Sequence, residues 1–209
     1  MMADVLRTSL LSDALDRAGR RRQCLGPDVV PLSGTRLEGR AYPLVLERTD
    51  APGEPPYQGL LRALDAVPAG AVLVLPGRRA TDAALFGELM ATACLGRGAA
   101  GAVCEGFVRD LPEVRAIGFA LFGCGTVPYD MDGRLEVAGH GRPVEVDGVL
   151  IEPGALVVAD HDGVVVVPTE LEASVVAAAL DKAAREDEFR AAIAAGMQPS
   201  EAYDRFGVL

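Results

Sequence analysis

The segment GELMATACLGRGAAGAVCEGFVRDLPEVRAIGFALF, residues 87–122, decides the fold class because helical and strand patterns alternate along it. Together with the six residues before it, its first half predicts a helix over residues 81–98 and then, from a run of small apolar residues, a strand over 99–106. Its second half predicts a short helix with Pro112 in the first turn and Gly118 at the end, followed by the strand FALFG. This alternation is typical of an α/β protein.

The sequence before this segment extends the pattern. Branched apolar runs bounded by glycine and proline predict buried strands over residues 39–48 and 70–77, with a loop and a helix between them. Residues 10–19 have the spacing of a short amphipathic helix, with Ser12 or Asp13 near its start.

The sequence after it predicts β-hairpins and a final helix. Residues 142–168 are rich in valine, glycine and turn pairs, as hairpins are. Thr169 and Glu172 predict a capping box that opens a long helix running to about Ala195. Because no linker or repeat interrupts the chain, we expect one compact α/β sandwich with a C-terminal helix, a single domain over residues 1–209.

Composition narrows the function. The chain has 209 residues, and 30 acidic against 20 basic side chains give a net charge of −10. This charge opposes binding to nucleic acid or to anionic membranes, so we expect neither as a partner. The first residues lack the pattern of a signal peptide, and no apolar run approaches the roughly 18 residues of a spanning helix. We therefore expect a cytoplasmic protein.

Residue types needed for several enzyme chemistries are scarce. His140, in a glycine-rich loop, and His161, at a turn expected to be exposed, are the only histidines, and neither belongs to a nucleophile motif. Lys182, the only lysine, lies in the stretch LDKAAREDEFR, which indicates the solvated face of a helix and argues against a Schiff base. The cysteines are too far apart in sequence to form a metal-binding CxxC pair: Cys24, Cys94, Cys104 and Cys124.

The dipeptide Arg109-Asp110 allows two interpretations. Asp110 precedes Leu-Pro-Glu, so it could be the N-cap of the short helix, with Glu113 completing a capping box and Arg109 on the surface. Alternatively, the pair belongs to an active site.

The segment LFGELMATA favours the second interpretation. Gly87 stands at a loop-to-helix junction, where free backbone amides and the helix dipole can bind a carboxylate, and Glu88 lies in the first helical turn. The next strand returns the chain to Arg109 and Asp110, so two acids and an arginine could converge there. This arrangement suits a 2-oxo acid, with Asp110 holding a divalent metal of the Mg²⁺ or Mn²⁺ type.

The segment over residues 87–122 also resembles the core signature of the RraA-like proteins, which include the 4-hydroxy-4-methyl-2-oxoglutarate aldolases. The likeness extends to LSDALDRAG, GRAYPL, PVEVDGVLIEPGALVVADHDGVVVVP and AGMQPSEAYDRFGV. It implies a swivelling phosphohistidine-domain-like α/β sandwich that assembles as homotrimers or homohexamers with active sites at subunit contacts. It also implies cleavage of 4-hydroxy-2-oxo diacids to pyruvate, decarboxylation of oxaloacetate, and use of Mg²⁺ or Mn²⁺.

The resemblance implies a role for each matching residue. Arg109 would bind pyruvate and stabilise its enolate, and Asp110 would ligate the metal. The position twenty residues before the arginine, an aspartate in the aldolases, is Glu88 here, which would contact the metal through water. The substrate carboxylate would bind backbone amides near Gly87, Leu89 and Met90.

Two further points follow from the resemblance. Glu105 stands where many members have aspartate, and Glu186 or Glu188 could reach a neighbouring subunit's metal waters, although an exposed charge run also explains both. The founding members inhibit a ribonuclease by contacting it, so a non-catalytic regulator is the alternative to a lyase. The intact Arg109-Asp110 pair favours the enzyme.

Overall fold

The computed structural model describes residues 6–78 and 80–209. The α-helices in it are α1 Thr8–Arg17, α2 Gln58–Asp65, α3 Glu88–Gly96, α4 Leu111–Ala116, α5 Glu172–Ala194 and α6 Pro199–Phe206. The strands are β1 Val30–Ser33, β2 Leu37–Arg48, β3 Ala71–Leu75, β4 Gly101–Cys104, β5 Phe107–Val108, β6 Leu121–Gly123, β7 Gly125–Thr126, β8 Leu135–His140, β9 Val144–Val146, β10 Val149–Ile151, β11 Leu156–Asp160 and β12 Gly163–Val167.

A curled mixed sheet forms the centre, with the order β1-β6-β4-β3-β2-β11-β12. Strands β2, β3, β4 and β6 run parallel and are connected by helices α2, α3 and α4, as the alternating pattern predicts. The second half of the long strand β2 pairs with an eighth strand, β8, which lies off this path. The mixed α/β fold with a long helix near the C-terminus is therefore confirmed.

Strand β3 explains why both faces of the sheet are covered. All five of its residues are buried, and they alternate between two apolar clusters. Leu73 and Leu75 face the cluster beneath α2 and α3, whereas Val72 and Val74 face the cluster that contains the β9-β10 hairpin. Since successive side chains of a strand point to opposite faces, a continuous apolar run is what a doubly covered strand requires.

Three expected helix starts are wrong. The helix expected to begin near residue 81 begins at Glu88, because residues before Gly87 pair in an extended conformation with the β5 segment. Helix α1 begins at Thr8, whose amide and hydroxyl donate to the Asp160 carboxylate at 2.9 and 2.6 Å. A 3-10 turn, Thr169–Leu171, precedes α5 without a side-chain cap.

The Glu172 carboxylate, expected to complete a capping box, instead accepts a hydrogen bond from Arg40 at 2.8 Å. The Glu172 side chain therefore contacts β2 and not the backbone at the start of its own helix.

Lys182 is not on a solvated helix face. It is buried between α1 and α5, where its ammonium group pairs with Asp13 and lies 3.4 Å from Glu186. The charged sequence around it was misleading because α1 packs against this face of α5. Within the described residues, no helix is both long and apolar enough to cross a membrane.

Candidate active site

Backbone pairing brings the start of α3 against the segment that follows β4. The amide of Leu85 donates to the carbonyl of Phe107 at 2.8 Å, and the amide of Arg109 donates to the carbonyl of Phe86 at 2.9 Å. Gly87 is the next residue, so it lies directly beside Arg109 and Asp110. The expected convergence of the two segments is confirmed.

Gly87 permits this close approach. A Cβ atom at position 87 would lie 2.9 Å from Asp110 Oδ2 and 3.3 Å from Arg109 Cγ. Its φ of −149° is ordinary extended backbone, so the absence of a side chain, and not a special backbone conformation, is what the site uses. The small residue lets the Asp110 carboxylate reach the first turn of α3.

Asp110 does not cap its own helix. It occupies the N-cap position of α4 in the left-handed conformation, at φ 55°, and its side chain makes no capping hydrogen bond there. Instead, Oδ2 accepts a long hydrogen bond of 3.4 Å from the amide of Glu88. The capping-box interpretation with Glu113 is therefore wrong. A non-glycine residue at positive φ carries a conformational cost, and such residues cluster at functional sites.

The first turn of α3 presents backbone amides to the same place. The first intrahelical bond runs from the amide of Ala91 to the carbonyl of Gly87, so the amides of Leu89 and Met90 precede it and point out of the helix end. The Glu88 carboxylate accepts a hydrogen bond from the Thr92 hydroxyl at 2.6 Å and thus lies along the helix.

Arg109 is held by two carboxylates. Its Nη2 lies 3.3 Å from Asp130 Oδ2, and its Nε lies 3.7 Å from Asp110 Oδ2. The Tyr57 hydroxyl donates to the same Asp130 oxygen at 2.8 Å. Desolvation opposes ionisation of Asp130, but hydrogen bonds, including the one from Tyr57, and the charge of Arg109 together lower its pKa. The hydrogen bond to Asp130 in turn raises the pKa of Tyr57.

Two cavities meet at the Arg109-Asp110 pair. One of about 320 Å³ lies between α2 and α3 and also includes Gly87, Leu89 and Met90; we name it the α2-α3 cavity. The other, of about 620 Å³, lies on the α4 side and is lined by Arg115 but not by any residue of the α3 start. The residues expected to bind the substrate carboxylate are thus all on the α2-α3 cavity.

Comparison with known proteins assigns the family. The sequence model of the RraA-like family, described as Aldolase/RraA, matches residues 8–166. The chain belongs to the RraA-like family. A Deinococcus radiodurans protein whose name provisionally assigns it as a 4-hydroxy-4-methyl-2-oxoglutarate aldolase is 32% identical over 178 residues, which cover 81% of this chain and 99% of that protein.

Two other similar proteins do not carry the aldolase name. Protein DlpA of Legionella pneumophila is 28% identical over 94% of this chain, but the chain spans only 32% of that longer protein. The crystal structure of Streptomyces coelicolor RraAS2, described as an unusual member of the RNase ES inhibitor RraA protein family, matches with a TM-score of 0.80 at 30% identity, over 90% of this chain and 95% of that chain.

Sequence reasoning missed two residues beside Arg109 at this candidate site. Asp130 lies 21 positions from Arg109 in the sequence, and Tyr57 lies 52 positions from it. Both belong to loops, for which sequence patterns predict only turns. The acidic turn YDMDG was the only available signal, and a turn explains it without any function. Only the fold brings these two side chains to the arginine.

Glu105 has a structural role in this chain. It is only 6% exposed, and its carboxylate accepts hydrogen bonds from the amides of Arg78 at 3.0 Å and Asp147 at 3.3 Å. The longer side chain, in place of the aspartate expected there, thus ties the loop after β3 to the β9-β10 turn.

The other candidates lie away from the Arg109-Asp110 pair. Glu186, expected on an exposed run, is largely covered and pairs with Arg7 at 2.7 Å, whereas Glu188 is exposed. His140 is not in a loop but ends β8, where Nδ1 lies 2.7 Å from the Tyr42 hydroxyl. His161 is exposed at the β11-β12 turn, as expected.

The two buried cysteines are unsuited to nucleophilic chemistry. Cys94 and Cys104 are buried, and desolvation raises the pKa of Cys94 to about 12 and that of Cys104 further still. A thiol with so high a pKa is a poor nucleophile at neutral pH.

The donor set at Asp110 fits a sparsely ligated Mg²⁺ or Mn²⁺ ion. Within residues 6–78 and 80–209, no group of three or more His, Cys, Asp or Glu side chains could hold a metal. However, Mg²⁺ keeps several waters and commonly takes only one or two protein carboxylates. Asp110, whose side chain is half-exposed beside the α2-α3 cavity, provides one such carboxylate. Mn²⁺ accepts the same oxygen ligands.

Proposed function

We propose that this protein is a divalent-metal-dependent lyase of 2-oxo acids. It would cleave substrates of the 4-hydroxy-4-methyl-2-oxoglutarate type to pyruvate, decarboxylate oxaloacetate, or both. The observation that carries the proposal is the left-handed Asp110, whose carboxylate is turned away from its own helix and toward Arg109 and the α3 start. A residue that served only as a helix cap would not need this conformation.

The chain's own groups would bind and orient the substrate. The amides of Leu89 and Met90 would donate to the 1-carboxylate, because they have no intrahelical acceptor. Arg109 would donate to the 2-oxo oxygen, where negative charge develops as the enolate forms. Asp110 would hold Mg²⁺ or Mn²⁺, and Glu88 would contact the ion through water. When bound, the metal would supply Lewis acidity that polarises the keto group.

In cleavage, the C3–C4 bond breaks and its electron pair becomes that of pyruvate enolate, while the C4 hydroxyl loses its proton and becomes a carbonyl. The enolate then takes up a proton at C3. In decarboxylation, the electron pair of the bond to CO₂ forms the same enolate. Arg109 would therefore stabilise one common intermediate in both reactions.

The proposal includes a homo-oligomer of three or six chains with the site at a subunit contact. Glu188 would be better placed than Glu186 to reach a neighbouring chain, since Glu186 is already paired with Arg7 and Lys182. Sedimentation analysis would measure the number of chains.

The test is pyruvate release from oxaloacetate and from 4-hydroxy-4-methyl-2-oxoglutarate with Mg²⁺, Mn²⁺ or EDTA. Mutation of residues that only support a metal's ligands typically lowers metal affinity or activity by about 10- to 100-fold. Because Asp110 is proposed as a ligand itself, Asp110→Asn should lower metal-dependent turnover by at least about 100-fold. Asp204→Asn, at an exposed position on α6, is the matched control and should retain full activity.

Absence of turnover above the free-metal rate on any 2-oxo acid would contradict the lyase. The likeness to RraAS2, described as a member of a ribonuclease inhibitor family, supports the alternative of a non-catalytic regulator that binds a ribonuclease. Binding to a ribonuclease that survives Asp110→Asn, with no turnover, would favour that alternative.

A further inference from the structure

The two cavities that meet at the Arg109-Asp110 pair differ in charge. Among the described residues that line it, the α2-α3 cavity has one cation, Arg109, and two carboxylates, Asp110 and Asp130. We name the cavity of about 620 Å³ on the other side of the pair the α4-side cavity; its described lining has two cations, Arg109 and Arg115, and one carboxylate, Asp110. An anionic group is therefore more favourably placed in the α4-side cavity.

Arg115 lies at the α4-side cavity without a partner for its charge. Its Nε donates to the carbonyl of Leu32 in β1 at 2.8 Å, which anchors the guanidinium and leaves both terminal nitrogens as donors. Within residues 6–78 and 80–209, no carboxylate pairs with Arg115, whereas Arg109 faces two. Arg115 can therefore bind a substrate carboxylate through two parallel hydrogen bonds, the geometry that guanidinium and carboxylate groups favour.

We infer that the α4-side cavity binds the distal carboxylate of a diacid substrate and that Arg115 selects for this group. The inference rests on the proposed lyase function and names the residue that recognises the second carboxylate at the same site. The substrate would lie across the Arg109-Asp110 pair. Its 1-carboxylate would lie at the amides of Leu89 and Met90, as proposed above, and its C5 carboxylate would lie at Arg115.

The apolar wall of the α2-α3 cavity supports this orientation. Helix α2 contributes three leucines to that wall: Leu60, Leu61 and Leu64. A carboxylate among them would lose its hydration without gaining a cation, because Arg109 already faces Asp110 and Asp130. The C5 carboxylate therefore favours the opposite side of the pair.

The role of Arg115 is compatible with a site at a subunit contact. A neighbouring chain can add groups to either cavity, but Arg115 belongs to the same chain as Arg109, so the effect of its charge can be measured whatever the neighbour adds. Cleavage of the C3–C4 bond leaves the C5 carboxylate unchanged. The same contact would thus hold this group in the substrate and in the second product, which is also a 2-oxo acid.

The first experiment compares 4-hydroxy-2-oxoglutarate with 4-hydroxy-5-methyl-2-oxohexanoate, in which an isopropyl group replaces the C5 carboxylate. The quantity measured is the ratio of kcat/KM for pyruvate release, diacid over isopropyl compound, with Mg²⁺ or Mn²⁺. Comparison of this ratio between proteins removes the difference in intrinsic reactivity between the two substrates. A hydrogen bond to a charged group contributes a factor of about 10 to 100, and the exposed position of Arg115 favours the lower end. Arg115→Gln should therefore lower the ratio by about tenfold, through the diacid alone.

Two further variants separate the charge of Arg115 from its bond to Leu32. Arg115→Lys keeps the charge but loses the Nε donor, and it should retain most of the ratio. Arg142→Gln, at an exposed arginine between β8 and β9 and outside both cavities, is the matched control and should leave the ratio unchanged.

Binding of analogues that cannot be cleaved gives a readout that does not depend on turnover. Both 2-oxoglutarate and 2-oxopentanoate lack the C4 hydroxyl, and a methyl group replaces the distal carboxylate in the second. In calorimetry with Mg²⁺, the wild type should bind 2-oxoglutarate about tenfold more tightly than 2-oxopentanoate. Arg115→Gln should bind the two compounds about equally.

The outcomes separate the role of Arg115 from the function on which it rests. An unchanged ratio in Arg115→Gln, or an equal loss on both substrates, would overturn the inference and leave the lyase intact. A changed number of chains in sedimentation would do the same, because Arg115 would then act at the subunit contact. Absence of pyruvate release by the wild type from both substrates would contradict the lyase, whereas 2-oxoglutarate binding that depends on Arg115 would still establish the carboxylate subsite.

Discussion

Asp110 stands at a position that fits both a helix N-cap and an active-site residue. Its position before Leu-Pro-Glu is that of an N-cap, and the helix does begin at the next residue. The left-handed backbone at φ 55° nevertheless turns the carboxylate toward α3. Aspartate is among the residues that best tolerate this conformation, so the same residue type serves either geometry. The backbone dihedral, and not the spacing, decides which neighbour the carboxylate contacts.

Tyr57 is expected to act as a positioning residue. Its hydroxyl donates to Asp130, which in turn holds Arg109. Because an ordinary hydrogen bond contributes about 0.5–1.5 kcal/mol, Tyr57→Phe should lower kcat/KM by about 2- to 10-fold, mostly through kcat. Tyr203→Phe, at an exposed tyrosine on α6, is the control.

The pH profile distinguishes positioning from a general loss of structure. The pKa of Asp130 is lowered in the folded protein, so its pairing with Arg109 is present at neutral pH and is lost as pH falls through that pKa. Removal of the Tyr57 hydroxyl should raise the pKa, and the acidic limb of kcat/KM should move to higher pH. An unmoved acidic limb would show that Tyr57 does not act through Asp130.

At the scale of elements, the position of α2 depends on one glycine. A Cβ atom on Gly59 would lie 1.8 Å from the carbonyl oxygen of Val137, so α2 rests directly on the backbone of β8. Helix α2 also carries Leu60, Leu61 and Leu64 into the α2-α3 cavity. A shift of this helix would therefore change the cavity wall.

Gly59→Ala is expected to destabilise the protein and reduce its activity. The gain in helix propensity, about 1 kcal/mol, opposes an overpacking cost of about 1–3 kcal/mol, and overlap with a backbone oxygen places the cost at the upper end. Urea unfolding should show a net loss of about 2 kcal/mol. Gly96→Ala, where an added Cβ meets nothing within 4 Å at the end of α3, should be neutral or slightly stabilising. Equal stabilities of the two variants would contradict this account.

At the scale of the whole molecule, Asp160 joins the N-terminal helix to the sheet. Asp160 is the last residue of β11, and its carboxylate accepts hydrogen bonds from both the amide and the hydroxyl of Thr8, the first residue of α1. Burial opposes ionisation, but these hydrogen bonds, together with one from the amide of Asp162, lower the pKa of Asp160. A lowered pKa stabilises the fold above the unfolded-state pKa, and this contribution is lost as pH falls through the folded-state pKa.

We therefore expect Asp160→Asn to lower the free energy of unfolding by about 1 kcal/mol at pH 7, a typical cost for a lost helix cap. The difference from wild type should shrink below about pH 4, the range in which aspartate is protonated. Asp16→Asn, at an exposed position on α1, should match the wild type at both pH values. A difference for Asp160→Asn that stays constant with pH would show that its ionisation is not involved.

The sequence by itself determined the α/β class, the alternation of strands and helices from β2 to β6, the buried β3 and the meeting of Gly87 with Arg109 and Asp110. These follow from short-range periodicity and from the rule that consecutive elements pack together. Only the tertiary structure decided where the caps come from, why Lys182 is buried, and which residues hold Arg109. Three such pairs are far apart in the sequence: Thr8 and Asp160 by 152 positions, Arg109 and Asp130 by 21, and Lys182 and Asp13 by 169. Hydrogen bonds and ion pairs depend on distance in space, and no local pattern encodes a partner that the folded sheet must first bring into reach.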